Sequence, residues 1–175
     1  RERLRQQVRR VRDMEQQLGG RPRLLVGMEA DILPDGRLDL EDELDQLDWV
    51  VGSVHVQLGM PRAEMTKRVV RAIESGKMDC LGHPTGRQLG YREPSELDME
   101  AVLQALRRVG VAIELNSTPL RLDIDEHVAR MARELGVPVV INSDAHSVEE
   151  LRYPKFGVGI ARRAWLGPEH VLNTR

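Results

Sequence analysis

An apolar run leads directly into an acid and a histidine in the stretch Val139-Val140-Ile141-Asn142-Ser143-Asp144-Ala145-His146. Its three leading residues are β-branched, as is typical of a strand buried on both faces of a parallel sheet. Asp144 and His146 lie two residues apart, so both side chains point to the same side of an extended chain. The stretch therefore predicts a buried strand whose carboxyl end carries two candidate metal ligands.

Short apolar runs alternate with helical patterns along the rest of the chain. Strand-length runs occupy residues 24–28, 49–54, 78–81, 111–115 and 137–141. A first amphipathic helix opens the chain, further helical patterns occupy 39–47, 61–75, 97–109 and 124–135, and the tail from 155 to 175 predicts one or two more. Pro61 is placed to open one helix, and Gly110 and Gly136 to end two others. We predict an α/β fold with a parallel sheet, open or closed into a barrel, in one domain spanning residues 1–175.

Candidate metal ligands follow four of the five predicted strands. Because the carboxyl ends of parallel strands meet at one face, these side chains are expected to converge. Imidazole and carboxylate groups gathered in this way form the ligand set of Zn, Mn or Fe. Three of the five histidines share this position, whereas His127 and His170 fall in helical patterns and are predicted to be surface residues. The candidate ligands are Glu29, His55, His83, Asp144 and His146.

The overall composition is that of an ordinary globular domain. The chain has 175 residues, of which 41% are hydrophobic and 31% charged, with a formal net charge of −2. This charge gives no general attraction to nucleic acids or membranes. The single cysteine, Cys80, lies in a predicted strand and excludes an internal disulfide, so we expect a buried thiol. No apolar run is long enough to span a bilayer and no signal peptide is present, so we expect a cytoplasmic protein without a membrane partner.

Several runs resemble the later motifs of the PHP (polymerase and histidinol phosphatase) domain. The runs are 27–36 (GMEADILPDG), 53–55 (SVH), 82–87 (GHPTGR), 114–116 (ELN) and 142–147 (NSDAHS). The long forms at 29–36 and 82–87, together with 157–165 (GVGIARRAW), look like the version at the C-terminal end of bacterial and archaeal family X DNA polymerases. The resemblance covers nearly the whole chain.

The resemblance implies a distorted (βα)7 TIM-like barrel with three metals at its carboxyl mouth, of which this chain would supply the five or so C-terminal βα units. Glu29 would bridge two metals, and His55 and His83 would join it on one of them. Asp144 would bind the other bridged metal and His146 the third. The metals implied are Mn²⁺ or Zn²⁺, with Fe²⁺ also compatible with this ligand set.

The family's early motifs do not occur in this sequence. These are an H-x-H strand, a Ser-Asp-Gly and a Thr-Asp-His, which supply further ligands. The chain also opens within a helical pattern, so we expect it to be the C-terminal portion of a longer protein, with the N-terminal part of the PHP domain and a polymerase domain as partners. Without the first strands, two of the three metals would lack ligands and the sheet would expose edges able to pair with another chain.

The activity implied by the resemblance is Mn-dependent 3′–5′ exonuclease action on DNA 3′ ends, as in DNA repair. A metal-activated water would be the nucleophile, so no side chain is needed in that role. Arg87 and Arg121 are candidates to hold phosphate, although either could instead pair with carboxylates such as Glu93 or Asp123. Asn116 is a candidate to support a ligand or contact the substrate.

Three other functions fit the ligand pattern. A small-molecule phosphatase of the histidinol-phosphate type uses the same ligands, but the long motifs favour the polymerase-associated form. A PHP module that keeps a metal for stability, and is inactive as this fragment, fits the missing motifs. An unrelated TIM-like amidohydrolase also places His and Asp at strand ends, and the long motifs argue against it.

Overall fold

Five parallel strands form one sheet in the computed structural model, which describes residues 1–174. The strands lie in sequence order and are β1 Gly27–Asp31, β2 Trp49–Ser53, β3 Cys80–Leu81, β4 Ala112–Asn116 and β5 Val139–Asn142. The helices are α1 Glu2–Gln17, α2 Arg62–Glu74, α3 Met99–Val109, α4 Glu126–Leu135 and α5 Pro154–Arg163. Short 3-10 turns cover Glu41–Gln46, Glu149–Arg152, Pro168–His170 and Leu172–Thr174.

The helices from α2 to α5 pack beside one another on one face of the sheet. Alternate strand residues such as Val50, Leu81 and Ile113 join helix residues such as Leu103 in the main core. The opposite face carries a smaller apolar cluster of Cys80, Ala112 and Val140, against which Trp49, Val51 and Leu172 pack. A parallel sheet with helices on one face is compatible with part of a TIM-like fold. The described strands form an open sheet, so the predicted barrel is not confirmed.

The predicted order of strands is confirmed, but one predicted helix does not form and several element bounds differ, most of all those of the first strand. Residues 24–28 were expected to form the first strand, whereas β1 is Gly27–Asp31 because its pairing with β2 begins at Gly27 opposite Trp49. Residues 39–47 were expected to be a helix, but only the 3-10 turn Glu41–Gln46 forms there. As expected, Cys80 is fully buried.

Helix ends follow the sequence signals. The Asp125 side chain caps α4 by accepting the backbone N–H groups of His127 and Val128. Gly110 and Gly136 end α3 and α4 in the left-handed conformation, with φ of 82° and 70°. That conformation favours glycine, which explains why both predicted stops are correct. No described helix is long and apolar enough to cross a membrane.

β5 and β1 are the two outer strands of the sheet, and the tail of the chain packs along β5. Beyond β5, the tail supplies a bridge between Val139 and Val171, and Asn173 exchanges two hydrogen bonds with the backbone of Ile141, at 3.2 and 2.7 Å. β1 pairs with β2 on one side. On the side of the sheet away from the helices, Glu29 is exposed. The edge strand β1 therefore presents this acid to the open face.

Replacing Leu103 by alanine tests whether the helix-covered face is the main core. Leu103 is fully buried on α3, so Leu103→Ala should lower the free energy of unfolding by about 2–5 kcal/mol. Chemical denaturation followed by circular dichroism measures the free energy of unfolding. The matched control Gln104→Ala, at an exposed position on the same helix, should change this free energy by less than about 0.5 kcal/mol. Equal effects of the two substitutions would contradict the packing described.

Candidate metal centre

Glu29 projects from the face of β1 that the helices do not cover. Side chains alternate along a strand, so Met28 and Ala30 turn toward the helices while Glu29 and Asp31 turn away. The sequence placed Glu29 after the end of its strand. The structure corrects this, because Glu29 lies in the middle of β1, opposite Val51 of β2.

His55 and His83 follow the ends of β2 and β3, as predicted. His55 is the second residue after β2, and His83 is the second residue after β3. The His83 Nε2 atom lies 2.9 Å from Glu29 Oε1, and the His55 Nε2 atom lies 3.4 Å from the same oxygen. One ligand atom from each of the three residues fits within a group whose members are all within 4.8 Å of one another. Two imidazoles and a carboxylate therefore converge at one point.

This group fits a transition-metal ion. Two histidines and one glutamate form a ligand set used by catalytic zinc sites, which leave one position open. In a tetrahedral site with bonds near 2.0–2.1 Å, ligand atoms lie about 3.3 Å apart. The contacts of Glu29 Oε1 with His83 and His55, at 2.9 and 3.4 Å, are close to that spacing. The three donor atoms, all within 4.8 Å of one another, could hold an ion.

Asp31 orients the His55 ring, a role that the sequence analysis did not assign. The Asp31 Oδ1 atom lies 2.5 Å from His55 Nδ1, which leaves Nε2 directed at Glu29. A carboxylate on the second nitrogen is the usual partner of a metal-binding histidine, since it fixes the ring and its tautomer. The position of Asp31 two residues after Glu29, on the same face of β1, is the signal that could have revealed it.

The pKa values of Glu29 and His55 are shifted in opposite directions. Hydrogen bonds from His55 and His83 hold the pKa of Glu29 far below its usual range, against the opposing effect of desolvation. The hydrogen bond to Glu29, aided by one to Asp31 and opposed by burial, raises the pKa of His55 to about 9. Without a metal, the centre is therefore an ionised carboxylate beside a protonated imidazole at neutral pH.

The buried carboxylate of Glu114 holds the turn that carries His83. The Glu114 carboxylate accepts the backbone N–H of His83 at 2.7 Å and the amide of Asn142 at 2.9 Å. Burial raises the pKa of Glu114. Gly82 makes the close approach possible, because a Cβ there would lie 2.6 Å from Val51 Cγ1 and would also clash with Ser53 Oγ. His83 itself is only 3% exposed.

Asp144 lines the same cavity as Glu29 and His83, a space of about 250 Å³. Its Oδ2 atom accepts the Asn116 amide at 3.0 Å and lies 3.4 Å from Arg121 Nε. Asn116 is fully buried, and its amide supports a candidate ligand. The structure thus brings four of the five predicted ligands to one face of the sheet, with Asp144 across the cavity from the three-residue cluster.

His146 is placed differently from the other candidate ligands. Its side chain is 82% exposed, and its Nδ1 atom lies 2.9 Å from the backbone oxygen of Asp144. It is not part of the cluster formed within residues 1–174. His127 is exposed on α4, and His170 Nδ1 accepts the Gly167 N–H at 3.0 Å. The assignment of His146 to a metal stays a prediction, and the other two histidines lie outside the cluster.

The two arginines proposed to hold phosphate make contacts within the protein. Arg87 donates through Nε to the Arg121 carbonyl at 2.9 Å and through Nη2 to the Leu122 carbonyl, and its Nη1 lies 4.0 Å from Asp125. Arg87 thereby joins the turn after β3 to the loop after β4. Arg121 lies against Asp144, at the edge of the cavity. The phosphate-binding roles of both residues, and any substrate contact by Asn116, stay predictions.

Comparison with known proteins gives relatives of two kinds, and no family model matches the chain. The chain is 39% identical over 175 residues to the DNA polymerase/3′-5′ exonuclease PolX of Bacillus subtilis (strain 168), covering 99% of this chain and 30% of that protein. It is 32% identical over 162 residues to a probable phosphatase of Aliivibrio fischeri (strain ATCC 700601 / ES114), covering 86% and 63%. A probable phosphatase of Thermoanaerobacter sp. (strain X514) is 31% identical over 162 residues, covering 86% and 64%.

The chain thus spans less than two thirds of the length of each of these relatives. Their names point to hydrolysis of phosphate esters in both groups. Together with a Glu-His-His cluster that could bind a metal, the similarities support a PHP-type domain.

Proposed function

We propose that this chain is the C-terminal portion of a metal-dependent phosphoesterase of the PHP type that removes nucleotides from DNA 3′ ends in DNA repair. The observation that carries the proposal is the convergence of Glu29, in the middle of β1, with His55 and His83, which follow the ends of β2 and β3. The similarity to PolX over 99% of the chain supports DNA as the substrate. Mn²⁺ is the proposed metal, and Zn²⁺ and Fe²⁺ suit the same donors.

A bound metal would polarise a phosphate oxygen and activate a water. The chain's own residues do the positioning. Glu29, His55 and His83 would hold the ion, and Asp31 keeps the His55 Nε2 atom turned toward Glu29. Glu114 fixes the backbone of His83. No side chain of this group needs to act as a nucleophile.

Asp144 adds a second carboxylate on the far side of the cavity. Asn116 and Arg121 hold its Oδ2 atom, and Asp144 lines the cavity that Glu29 also lines. We propose that Asp144, and His146 after movement of its exposed side chain, bind further metals. The remaining ligands would come from the N-terminal part of the PHP domain, with a polymerase domain as a further partner.

A second candidate is the hydrolysis of a small phosphate monoester. The similarity to the probable phosphatase of Aliivibrio fischeri (strain ATCC 700601 / ES114), over 86% of this chain, supports this candidate. The two activities differ in whether the phosphate lies between two nucleosides or at the end of a small molecule. A direct comparison of substrates separates them.

A nuclease assay tests the proposed activity. With Mn²⁺ and 5′-labelled DNA, a form that contains the missing N-terminal ligands should produce a ladder shortened from the 3′ end. His83→Ala should slow it by more than about 100-fold, because loss of a direct ligand exceeds the typical effect of losing an outer-shell partner. His127→Ala replaces an exposed histidine outside the cluster and should leave the rate unchanged.

The assay is run on this chain and on a longer form that supplies the missing H-x-H, Ser-Asp-Gly and Thr-Asp-His ligands. Activity in the longer form alone would support a site completed by the N-terminal part. Release of phosphate from small esters with DNA left intact would favour the second candidate. Metal binding without hydrolysis in either form would favour a structural module.

The pH dependence of metal binding tests the electrostatics of the centre. The metal-free His55 has a pKa of about 9, so below that pH an incoming ion must displace a proton. The association constant should therefore rise with pH by up to about tenfold per unit and level off above the pKa. Calorimetry near pH 7, in buffers of different ionisation enthalpy, should show release of about one proton per ion.

Asp31→Asn provides the matched variant for this experiment. It removes a carboxylate that raises the pKa of His55, so the pH at which the association constant stops rising should be lower. An association constant that stays the same from neutral pH to pH 9 would contradict the protonated state of His55.

A further inference from the structure

Arg68 is a buried cation on α2, next to the loops that leave β1 and β2. It is 2% exposed. No carboxylate among residues 1–174 forms an ion pair with it, and burial lowers its pKa. A buried charge without a paired counter-charge is costly, so its hydrogen bonds must offset the lost hydration.

Among residues 1–174, the groups that accept from the Arg68 guanidinium all lie in those two loops. Nε donates to the Leu33 carbonyl at 2.9 Å, and Nη2 donates to the Ile32 carbonyl. Nη1 donates to the Val56 carbonyl at 2.9 Å and lies 3.5 Å from Met60 Sδ. One side chain therefore binds three backbone carbonyls from two separate loops.

The bound carbonyls lie directly beside two residues of the metal centre. Ile32 follows Asp31 in sequence, and Val56 follows His55. These are the two side chains that meet at 2.5 Å. The charge of Asp31 also favours the guanidinium. Holding the two carbonyls on one rigid group fixes the distance between the backbones that carry Asp31 and His55.

Only arginine has the geometry for this task. Its planar guanidinium offers five N–H donors in a fixed fork, so acceptors on opposite sides can be satisfied at once. A lysine has one nitrogen at the end of a flexible stem and cannot reach three carbonyls in two loops with the same geometry. Arg68 is therefore suited to set a distance and not merely to fill space.

We infer that Arg68 is a positioning residue that locks the loops after β1 and β2 together and thereby sets the Asp31–His55 contact of the metal centre. This inference rests on the proposed metal-binding role of His55. It assigns no contact with metal or substrate to Arg68. The guanidinium acts through Asp31 and His55.

The test compares Arg68→Lys and Arg68→Ala with wild type in two readouts. The first is the ¹⁵N chemical shifts of the His55 ring in the metal-free protein, which report the Asp31 hydrogen bond. The second is the dissociation constant and visible absorption spectrum of bound Co²⁺. Both variants should lose the wild-type His55 shifts, weaken Co²⁺ binding at least tenfold and alter its spectrum. Methylguanidinium should restore Co²⁺ binding to Arg68→Ala.

A core variant separates positioning from general destabilisation. Val102→Ala removes volume at a fully buried position on α3, outside α2 and both loops. It should keep the His55 shifts and bind Co²⁺ within twofold of wild type. All proteins are compared at temperatures at which circular dichroism shows them folded.

The outcomes distinguish the inference from the proposed function. Wild-type His55 shifts in folded Arg68→Lys would overturn the inference whether or not metal binds. The inference would also be overturned if Arg68→Ala stays unfolded in the presence of methylguanidinium and Arg68→Lys matches wild type in both the His55 shifts and Co²⁺ binding. A wild-type protein that binds no Co²⁺ would instead overturn the metal centre, and the His55 shifts would still decide the role of Arg68.

Discussion

The contact between Glu29 Oε1 and His83 Nε2, at 2.9 Å, joins the edge strand β1 to the turn after β3, two strands away. It is possible because the parallel register places Glu29 opposite Val51 and Val51 opposite Cys80, so the acid and the turn reach the same open face. His55 comes from the loop that follows β2, the strand between them. The centre thus depends on the order and register of three strands, and a slip of one residue would turn Glu29 toward the helices.

Buried polar groups behind the centre fix the loops that carry it. The Asp123 carboxylate accepts the backbone N–H and the hydroxyl of Thr85, at 3.0 and 2.9 Å, and burial raises its pKa. Glu114 holds the backbone of His83 in the same turn. Arg68 serves the loops after β1 and β2. Each loop of the centre is therefore anchored by a buried polar side chain from a neighbouring element, as expected for a site that must keep its geometry.

Much of this arrangement could be predicted from sequence. The alternation of apolar runs and helical patterns indicated five parallel strands. The positions of His55 and His83 after strand ends indicated that their side chains converge. Both features could be predicted because each depends on a short stretch of sequence. The position of Glu29 within β1 was missed because the start of pairing with Trp49 depends on a contact over 22 residues. Whether the sheet closes into a barrel depends on contacts that lie beyond its five strands.

Long-range contacts explain what sequence reasoning could not supply. Nothing in the spacing of Arg68 shows that its three acceptors lie in two different loops. The motif that contains Arg87 predicts that it holds phosphate, which stays a prediction, and it does not show that the guanidinium contacts the carbonyls of Arg121 and Leu122. Side chains of the same type thus take different roles according to which backbone carbonyls the fold brings near them.

X-ray absorption of the chain loaded with one equivalent of Zn²⁺ tests directly whether Glu29, His55 and His83 bind a metal. We expect a first shell of nitrogen and oxygen at about 2.0–2.2 Å that includes two imidazoles, and one imidazole fewer in His83→Ala. A shell without imidazoles, a sulfur ligand from Cys80, or a spectrum unchanged in His83→Ala would contradict it.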